Sequence, residues 1–166
     1  MAYRDLNTLS VREQVQHKYA RRAAKLVNVF QCLIVSANPE RRRTMDRAAS
    51  ESGWKTHVCA DAQAALAHVN RWLVQLAVVD LDTPSSATFR PLVEQLSAQS
   101  GLLSIVCGHD GDVQEEIWVR QQGAWMYLPG VADSSNVGLL CSEAKKIVER
   151  ISQAGDNQRE SVKPVA

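Results

Sequence analysis

Two carboxylates, Asp80 and Asp82, stand directly after an apolar run in the stretch AVVDLDTPSS at 77–86. A carboxylate at the end of a buried strand can react or hold a cation, provided that neighbouring groups balance its charge. It can also simply cap the turn that follows, which is common for Asp shortly before a proline, here Pro84. The role of Asp80 therefore depends on which side chains the fold brings beside it.

The other residues of reactive type do not form a catalytic pattern. The sequence contains no GxGxxG or P-loop that would cradle phosphates, and no GxSxG elbow. His57 is isolated, and His109 lies just past Cys107, where side chains on one strand-to-helix loop rarely meet productively. The stretch SANPERR lacks the Ser/Thr/Gly-rich cradle of a flavin-binding protein. We therefore expect a protein that is not an enzyme.

The cysteines occur singly, with no CxxC pair and no histidine at zinc-ligand spacing. They are Cys32, Cys59, Cys107 and Cys141. Most lie inside apolar runs, which predicts buried free thiols. Cys107 has no basic neighbour in the sequence that would lower its pKa, so a redox role for this thiol is disfavoured.

Five short apolar runs alternate with longer segments of helical period, which predicts strands separated by helices. The runs are residues 29–35, 55–59, 76–81, 102–107 and 124–128. Helices are expected after the N-cap residues Asn38, Asp61 and Asp112, over 86–99, and from Ser134 or Ser135.

This alternation favours a parallel sheet, because parallel neighbours need crossover connections that lay helices on both faces. Continuous apolar runs also indicate strands that are covered on both sides. We predict a five-stranded, doubly wound α/β domain over about residues 29–152. Ligands bind such folds at the carboxyl ends of the strands, which places Asp80 beside Ser36 and Cys107.

Composition excludes several classes of partner. The formal net charge is +1, so no overall field favours nucleic acid or a membrane surface. No apolar run approaches the roughly 20 residues that span a bilayer. The first residues, MAYRDLNTLS, lack the apolar stretch of a signal peptide. The expected location is the cytoplasm.

Taken together, these stretches resemble the receiver domain of bacterial two-component response regulators, over about residues 30–152. The likeness is carried by CLIVSANPERRRTM, by AVVDLDTPS with Asp80 four residues before Pro84, and by GAWMYLPG, which is similar to the family's GAxxYL segment. The resemblance implies a flavodoxin-like sheet of strand order 2-1-3-4-5. It also makes Asp80 the position that accepts a phosphoryl group from a histidine kinase.

In that family the phosphoacceptor is surrounded by groups that balance charge. Two acidic residues hold Mg²⁺, a Ser or Thr hydrogen-bonds the phosphate, and a Lys pairs with it. The corresponding positions here are Ser36 and Ala37, then Cys107, then Gly130. No Lys or Arg occurs between Arg120 and Lys145. Asp82 remains, at the position whose backbone carbonyl serves the family as a metal ligand.

These departures predict a weak or inactive phosphoacceptor, that is, a degenerate pseudo-receiver. Mg²⁺ is usually held by one or two carboxylates with waters, and only Asp80 and Asp82 are left to hold it if it binds at all. The missing Lys and hydroxyl remove two contacts of about 1.5–3 kcal/mol each. We expect no cofactor, with Mg²⁺ required only if Asp80 is phosphorylated after all.

Aromatic residues near the predicted fifth strand suggest an interaction face. Tyr127 occupies the position of the family's switch aromatic, and Trp118 and Trp125 are expected near it. An exposed Trp/Tyr cluster is typical of a protein-binding hot spot. Inward packing of Tyr127 and Trp118 is the alternative.

Residues 1–28 form a basic extension that the resemblance does not cover. A capping box at Ser10 and Glu13 begins a predicted amphipathic helix. Its apolar stripe is Val11, Val15, Tyr19, Ala23 and Leu26 or Val27. Such a helix can dock on its own domain, form a homodimer or bind an acidic partner. The run RRR at 41–43 is interpreted as a solvated helix face, and 153–166 as a disordered tail.

The sequence therefore predicts a stand-alone, receiver-like regulatory module that acts through protein–protein interaction and does not depend on phosphorylation. Its expected partner is another signalling protein, either a histidine kinase or a regulator. The alternative is a single-domain response regulator that is phosphorylated on Asp80 by a histidine kinase.

Overall fold

Alternating strands and helices form the whole described part of the chain. The structure is a computed structural model that describes residues 29–84, 86–130 and 134–160. The strands are β1 (Gln31–Val35), β2 (Lys55–Cys59), β3 (Leu76–Asp80), β4 (Leu103–Gly108) and β5 (Met126–Pro129). The helices are α1 (Pro39–Glu51), α2 (Ala62–Arg71), α3 (Ser86–Ser97), α4 (Val113–Gln121) and α5 (Ser134–Glu160). The predicted N-terminal helix lies outside the described residues.

The five strands pair in parallel in the order β2-β1-β3-β4-β5, which confirms the predicted fold class. The register aligns Val35 with Val79, and Asp80 with Cys107. The carboxyl ends of β1, β3 and β4 therefore lie side by side, and Asp80 stands between the other two.

The helix starts follow the predicted capping residues. The side chain of Asn38 accepts hydrogen bonds from the backbone of Glu40 and Arg41, and Pro39 occupies the first helical position. Asp61 and Asp112 cap α2 and α4 in the same way. These local signals determine where α1 leaves the sheet, and so where its first turn meets the end of β3.

Two apolar cores cover the two faces of the sheet. One packs α1 and α5 against β1, β3 and β4, and includes Met45, Trp54 and Ile105. The other packs α2, α3 and α4 on the opposite face, and includes Phe89 and Leu92. Burial of each such large side chain stabilises the fold by about 1.5–3 kcal/mol. Both-face burial explains why the central strands are continuously apolar.

The last helix extends further than the sequence pattern predicts. It continues to Glu160, past residue 153, where the sequence pattern placed the start of a disordered tail, and residues 161–166 lie outside the described part of the chain. Its buried residues include Val137, Cys141 and Ala144, while Ile151 is exposed. A regular helix that starts against the sheet can continue past its last core contact, because its backbone hydrogen bonds are internal. Within the described residues, no helix is long and apolar enough to cross a membrane.

Candidate functional site

Asp80 is a fully buried carboxylate at the carboxyl end of β3. The Ser36 hydroxyl donates to Oδ2 of Asp80 over 2.6 Å, and the backbone N–H of Asp82 donates to Oδ1 over 3.1 Å. Ser36, at the end of β1, is therefore in contact with Asp80. Ser36 stands where the resemblance would place a metal-binding acid, and it serves as a hydrogen-bond donor instead.

The main partner of Asp80 is Arg41, the third residue of α1. Nε of Arg41 donates to Oδ2 of Asp80 over 2.8 Å, and Nη2 donates to Oδ1 over 2.9 Å. This is a two-point pairing of a planar guanidinium with a carboxylate, the strongest geometry for such an ion pair. The interpretation of 41–43 as a solvated face is wrong for Arg41, whose side chain is only 13% exposed.

The same guanidinium also binds the second carboxylate. Nη1 of Arg41 lies 2.8 Å from Oδ2 of Asp82, whose side chain is partly buried. One cation therefore joins both acids of the DLD stretch. Beside it, Nη1 of Arg42 donates to the carbonyl of Ser36 over 2.6 Å, which ties the loop after β1 to α1.

The positive charge of Arg41 and the negative charges of Asp80 and Asp82 stabilise one another. Burial alone would lower the pKa of the Arg41 guanidinium, but Asp80 and Asp82 outweigh it through Coulombic attraction and hydrogen bonds, and the pKa is raised. Arginine therefore stays cationic here at any pH that the fold survives. Removal of one partner from such a buried pair typically costs about 3–5 kcal/mol, because the other charge is left uncompensated.

The remaining predicted site positions carry no charge. Cys107 is buried, and burial followed by the proximity of Asp80 raises the pKa of its thiol to about 12, so it stays protonated. Ala37 is partly buried against the core of α2 and α3. Gly130 has a φ of 80°, and its N–H donates to the carbonyl of Gly108 over 3.0 Å. None of these three positions presents a hydroxyl or an ammonium group to Asp80.

Tyr127 points inward and is held there by a buried acid. Its hydroxyl donates to Oε1 of Glu115 over 3.0 Å, with the carbonyl of His109 as a second acceptor 3.2 Å away. Glu115 also accepts the backbone N–H of His109 over 2.9 Å. Burial, followed by the hydrogen bond to Glu115, raises the pKa of Tyr127. Tyr127 is therefore packed, which was one of the two readings of its sequence position.

Gly108 makes room for this arrangement. A Cβ atom at position 108 would overlap the ring and hydroxyl of Tyr127 and the carboxylate of Glu115. The glycine at the end of β4 therefore leaves space for the inward tyrosine. The sequence contains both residues, but their contact depends on the three-dimensional packing of β4, β5 and α4.

The two tryptophans of the predicted interaction face lie on different sides of the sheet. Trp118 packs against the core that contains Tyr127, whereas Trp125 packs against the core of α1 and α5. The prediction that Trp125 belongs to one cluster with Trp118 and Tyr127 is therefore wrong. The guanidinium carbon of Arg90 lies 4.6 Å from the centre of the Trp118 ring, which partly covers that face.

Three further side chains approach one another near the site. One ligand atom each from His109, Asp112 and Glu115 falls within 4.8 Å of the others, the only such group of three in the described ranges. Asp112 caps α4 by accepting the N–H of Glu115 over 2.9 Å. His109 also lies 3.4 Å from Asp82. These contacts explain the cluster through protein partners alone.

Comparison with known proteins gives structural neighbours but no sequence relative. No family model matches the chain, and no curated protein matches it. A CheY-like response regulator receiver domain from Methanospirillum hungatei JF-1 superposes with a TM-score of 0.56 at 17% identity, covering 81% of this chain and 99% of that one. Chemotaxis response regulator CheY4 of Vibrio cholerae gives 0.59 at 16% identity, covering 70% and 99%.

A larger neighbour contains the same unit as one part. NtrX from Brucella abortus gives a TM-score of 0.66 at 16% identity over 83% of this chain, which corresponds to 32% of the NtrX chain. These likenesses show that the chain has the fold of CheY-like receiver domains.

Proposed function

We propose that the chain is a receiver-like regulatory module without enzymatic activity, which acts by contact with another signalling protein and does not depend on phosphorylation of Asp80. The observation that carries the proposal is the guanidinium of Arg41, bound at two points to Asp80 and at a third to Asp82. The guanidinium of Arg41 therefore occupies the space beside Asp80 that Mg²⁺ or a phosphoryl group would need.

Arg41 competes directly with reaction at Asp80. Phosphoryl transfer requires a free carboxylate oxygen in line with the phosphorus, with cations around the transferred group. Each carboxylate oxygen of Asp80 already accepts two hydrogen bonds, and Arg41 donates one of the two in both cases. Release of such charged hydrogen bonds costs about 1.5–3 kcal/mol each, and that cost adds to the barrier for attack.

The donor set does not fit Mg²⁺. Mg²⁺ prefers near-octahedral oxygen ligation from carboxylates and waters. Asp80 and Asp82 would have to exchange Arg41 for the metal, and Ser36 and Ala37 offer no carboxylate in return. A guanidinium 2.8 Å from both acids also repels a second cation. We therefore derive no step of the function through this metal.

The second candidate function is the single-domain response regulator phosphorylated on Asp80. Arg41 itself favours it, because arginine pairs with phosphate oxygens in the same two-point manner as with carboxylates. Arg41 would then supply the positive charge that the sequence lacks between Arg120 and Lys145. In this case the guanidinium would have to move from Asp80 to the phosphoryl group.

Acetyl phosphate distinguishes the two functions. We expect the wild-type protein, incubated with acetyl phosphate and Mg²⁺, to show no more phosphoprotein by intact mass than Asp80→Asn, which lacks the acceptor. A stoichiometric adduct on wild-type Asp80 that is lost in Arg41→Ala would establish the second function and overturn the first. Arg43→Ala is the matched control, since Arg43 lies on the same helix and is exposed.

Partner binding gives the second arm of the test. If the module acts independently of phosphorylation, a partner recovered with the wild-type protein binds with the same affinity before and after acetyl phosphate treatment. Affinity that changes with treatment in the wild type, but not in Asp80→Asn, would contradict the proposal.

A further inference from the structure

An apolar groove lies at the amino ends of the strands, whereas Asp80 lies at their carboxyl ends. Its volume is about 260 Å³, and its walls come from the segments that precede β3 and β4 and from residues 148–152 of α5. Trp72, Leu73 and Ile151 line it and are 43%, 77% and 58% exposed. None of the described residues that line it is charged.

Such a surface is costly for a domain to leave in water. Single exposed apolar residues are common, but several around one concave site form a patch of the kind that marks an interaction surface. Each square ångström of apolar area that is covered contributes about 25 cal/mol. Within the described residues, nothing packs over Leu73, the most exposed of the three.

The chain enters the domain beside this groove. Gln75 lines the groove and binds β1 twice, because its N–H donates to the carbonyl of Gln31 over 3.1 Å and its side-chain oxygen accepts the N–H of Gln31 over 2.8 Å. Neighbouring strands are about 4.8 Å apart. Gln31, the first residue of β1, therefore lies about one strand spacing from a residue of the groove, and the segment 10–27 precedes it in the sequence by only three residues.

We propose that the N-terminal segment of this chain, residues 10–27, covers the groove with its apolar stripe. The stripe of Val11, Val15, Tyr19 and Ala23 supplies the side chains that an uncharged groove can bury. On such a helix the cations Lys18, Arg21 and Lys25 lie off the stripe and would remain in water, while Arg22 lies at its margin. An 18-residue helix is about 27 Å long, which is enough to cross the edge of the sheet.

This inference does not rest on the proposed function, because the groove and Asp80 lie at opposite ends of the strands. Its consequence is that the segment and the domain form one unit. A partner that needs the groove would have to displace residues 10–27, and a partner that needs the segment would expose Leu73.

Limited trypsin digestion of the full chain tests the docking. The segment offers cleavage sites after Arg12, Lys18, Arg21, Arg22 and Lys25. We expect these bonds to be cut about tenfold more slowly in the wild type than in Leu73→Glu or Tyr19→Glu, because cleavage follows the population of the open form. Leu139→Glu is the matched control, since Leu139 is 64% exposed on α5 and does not line the groove.

The outcomes separate the possible occupants. Equal cleavage rates in the wild type, Leu73→Glu and Tyr19→Glu overturn the proposal, whether the groove is then open or waits for another protein. Protection that disappears on dilution, together with a dimer in sedimentation, assigns the groove to a second copy and also overturns it. Protection independent of concentration, lost in Leu73→Glu with unchanged circular dichroism, supports the intramolecular contact.

Discussion

At the scale of single residues, Arg41 decides the character of the site. The position of Asp80 could be predicted from the sequence, because it follows an apolar run and the carboxyl ends of parallel strands meet at one edge. Arg41 could not, because its role depends on a long side chain reaching from α1 to β3. The one signal was its place in the first turn of a helix that starts beside Asp80.

We predict that Arg41→Ala lowers the free energy of unfolding by about 3–5 kcal/mol, because it leaves Asp80 buried without its cation. Urea denaturation measures the change. Arg43→Ala is exposed on the same helix and is expected to change stability by less than about 0.5 kcal/mol. Equal losses in the two variants would show that the ion pair does not stabilise the fold.

A second prediction concerns the contact of Gly108 with Tyr127. Gly108→Ala would push a methyl group into Tyr127 and Glu115, and such overpacking typically costs about 1–3 kcal/mol. Gly138→Ala, in α5, is the control, because its new methyl group would lie 3.9 Å from Ala48 and alanine favours helix by about 1 kcal/mol. The two thermal unfolding midpoints should move in opposite directions. A neutral Gly108→Ala would contradict the tight packing.

At the scale of elements, the caps and apolar periods were predicted correctly because they depend on neighbours in the sequence. Asn38, Asp61 and Asp112 each bond to backbone two or three residues ahead. The misplaced features depend on distant contacts. Trp125 packs with α1 and α5 rather than beside Trp118, and Arg41 pairs with Asp80 rather than lying in solvent.

The contact of β2 with α2 contains a histidine pair that should make stability depend on pH. The rings of His57 and His68 are 3.9 Å apart. Burial, followed by repulsion from His68 and Lys55, lowers the pKa of His57, and burial followed by Arg71 lowers that of His68. The unfolded chain therefore binds protons more readily than the folded chain. The fold has its full stability from this contact above about pH 6.5, where both histidines are neutral, and loses it as the pH falls through the lowered pKa values of His57 and His68.

Urea midpoints at pH 7.5 and pH 5.5 measure this effect. We expect the wild type to lose more stability across that interval than the double variant His57→Gln/His68→Gln, which keeps the carboxylates that also titrate in acid. The same loss in both proteins would rule out the histidine pair as its source.

At the scale of the whole molecule, the doubly wound fold separates two surfaces. The ion-paired site lies at the carboxyl ends of the strands, and the apolar groove lies at their amino ends. Strand order and layer arrangement could be predicted because the crossover rule leaves few alternatives for five alternating units. The groove could not, because its walls come from three segments that are distant in the chain.

The response of the whole fold to Mg²⁺ follows from the proposed function. A ligand that binds only the folded state raises the unfolding temperature. We expect added Mg²⁺ to leave the unfolding temperature of the wild type unchanged and to raise that of Arg41→Ala, in which Asp80 and Asp82 are released. Calorimetry measures both. A magnesium-dependent rise in the wild type would contradict the assignment of Arg41.

The guanidinium that joins Asp80 and Asp82 is covalently part of the chain. A counter-ion of this kind cannot be dialysed away, chelated or outcompeted by a change in the supply of divalent ions. The electrical balance of that pocket is therefore inherited with the polypeptide, and only a rearrangement of α1 or a change of residue can alter it.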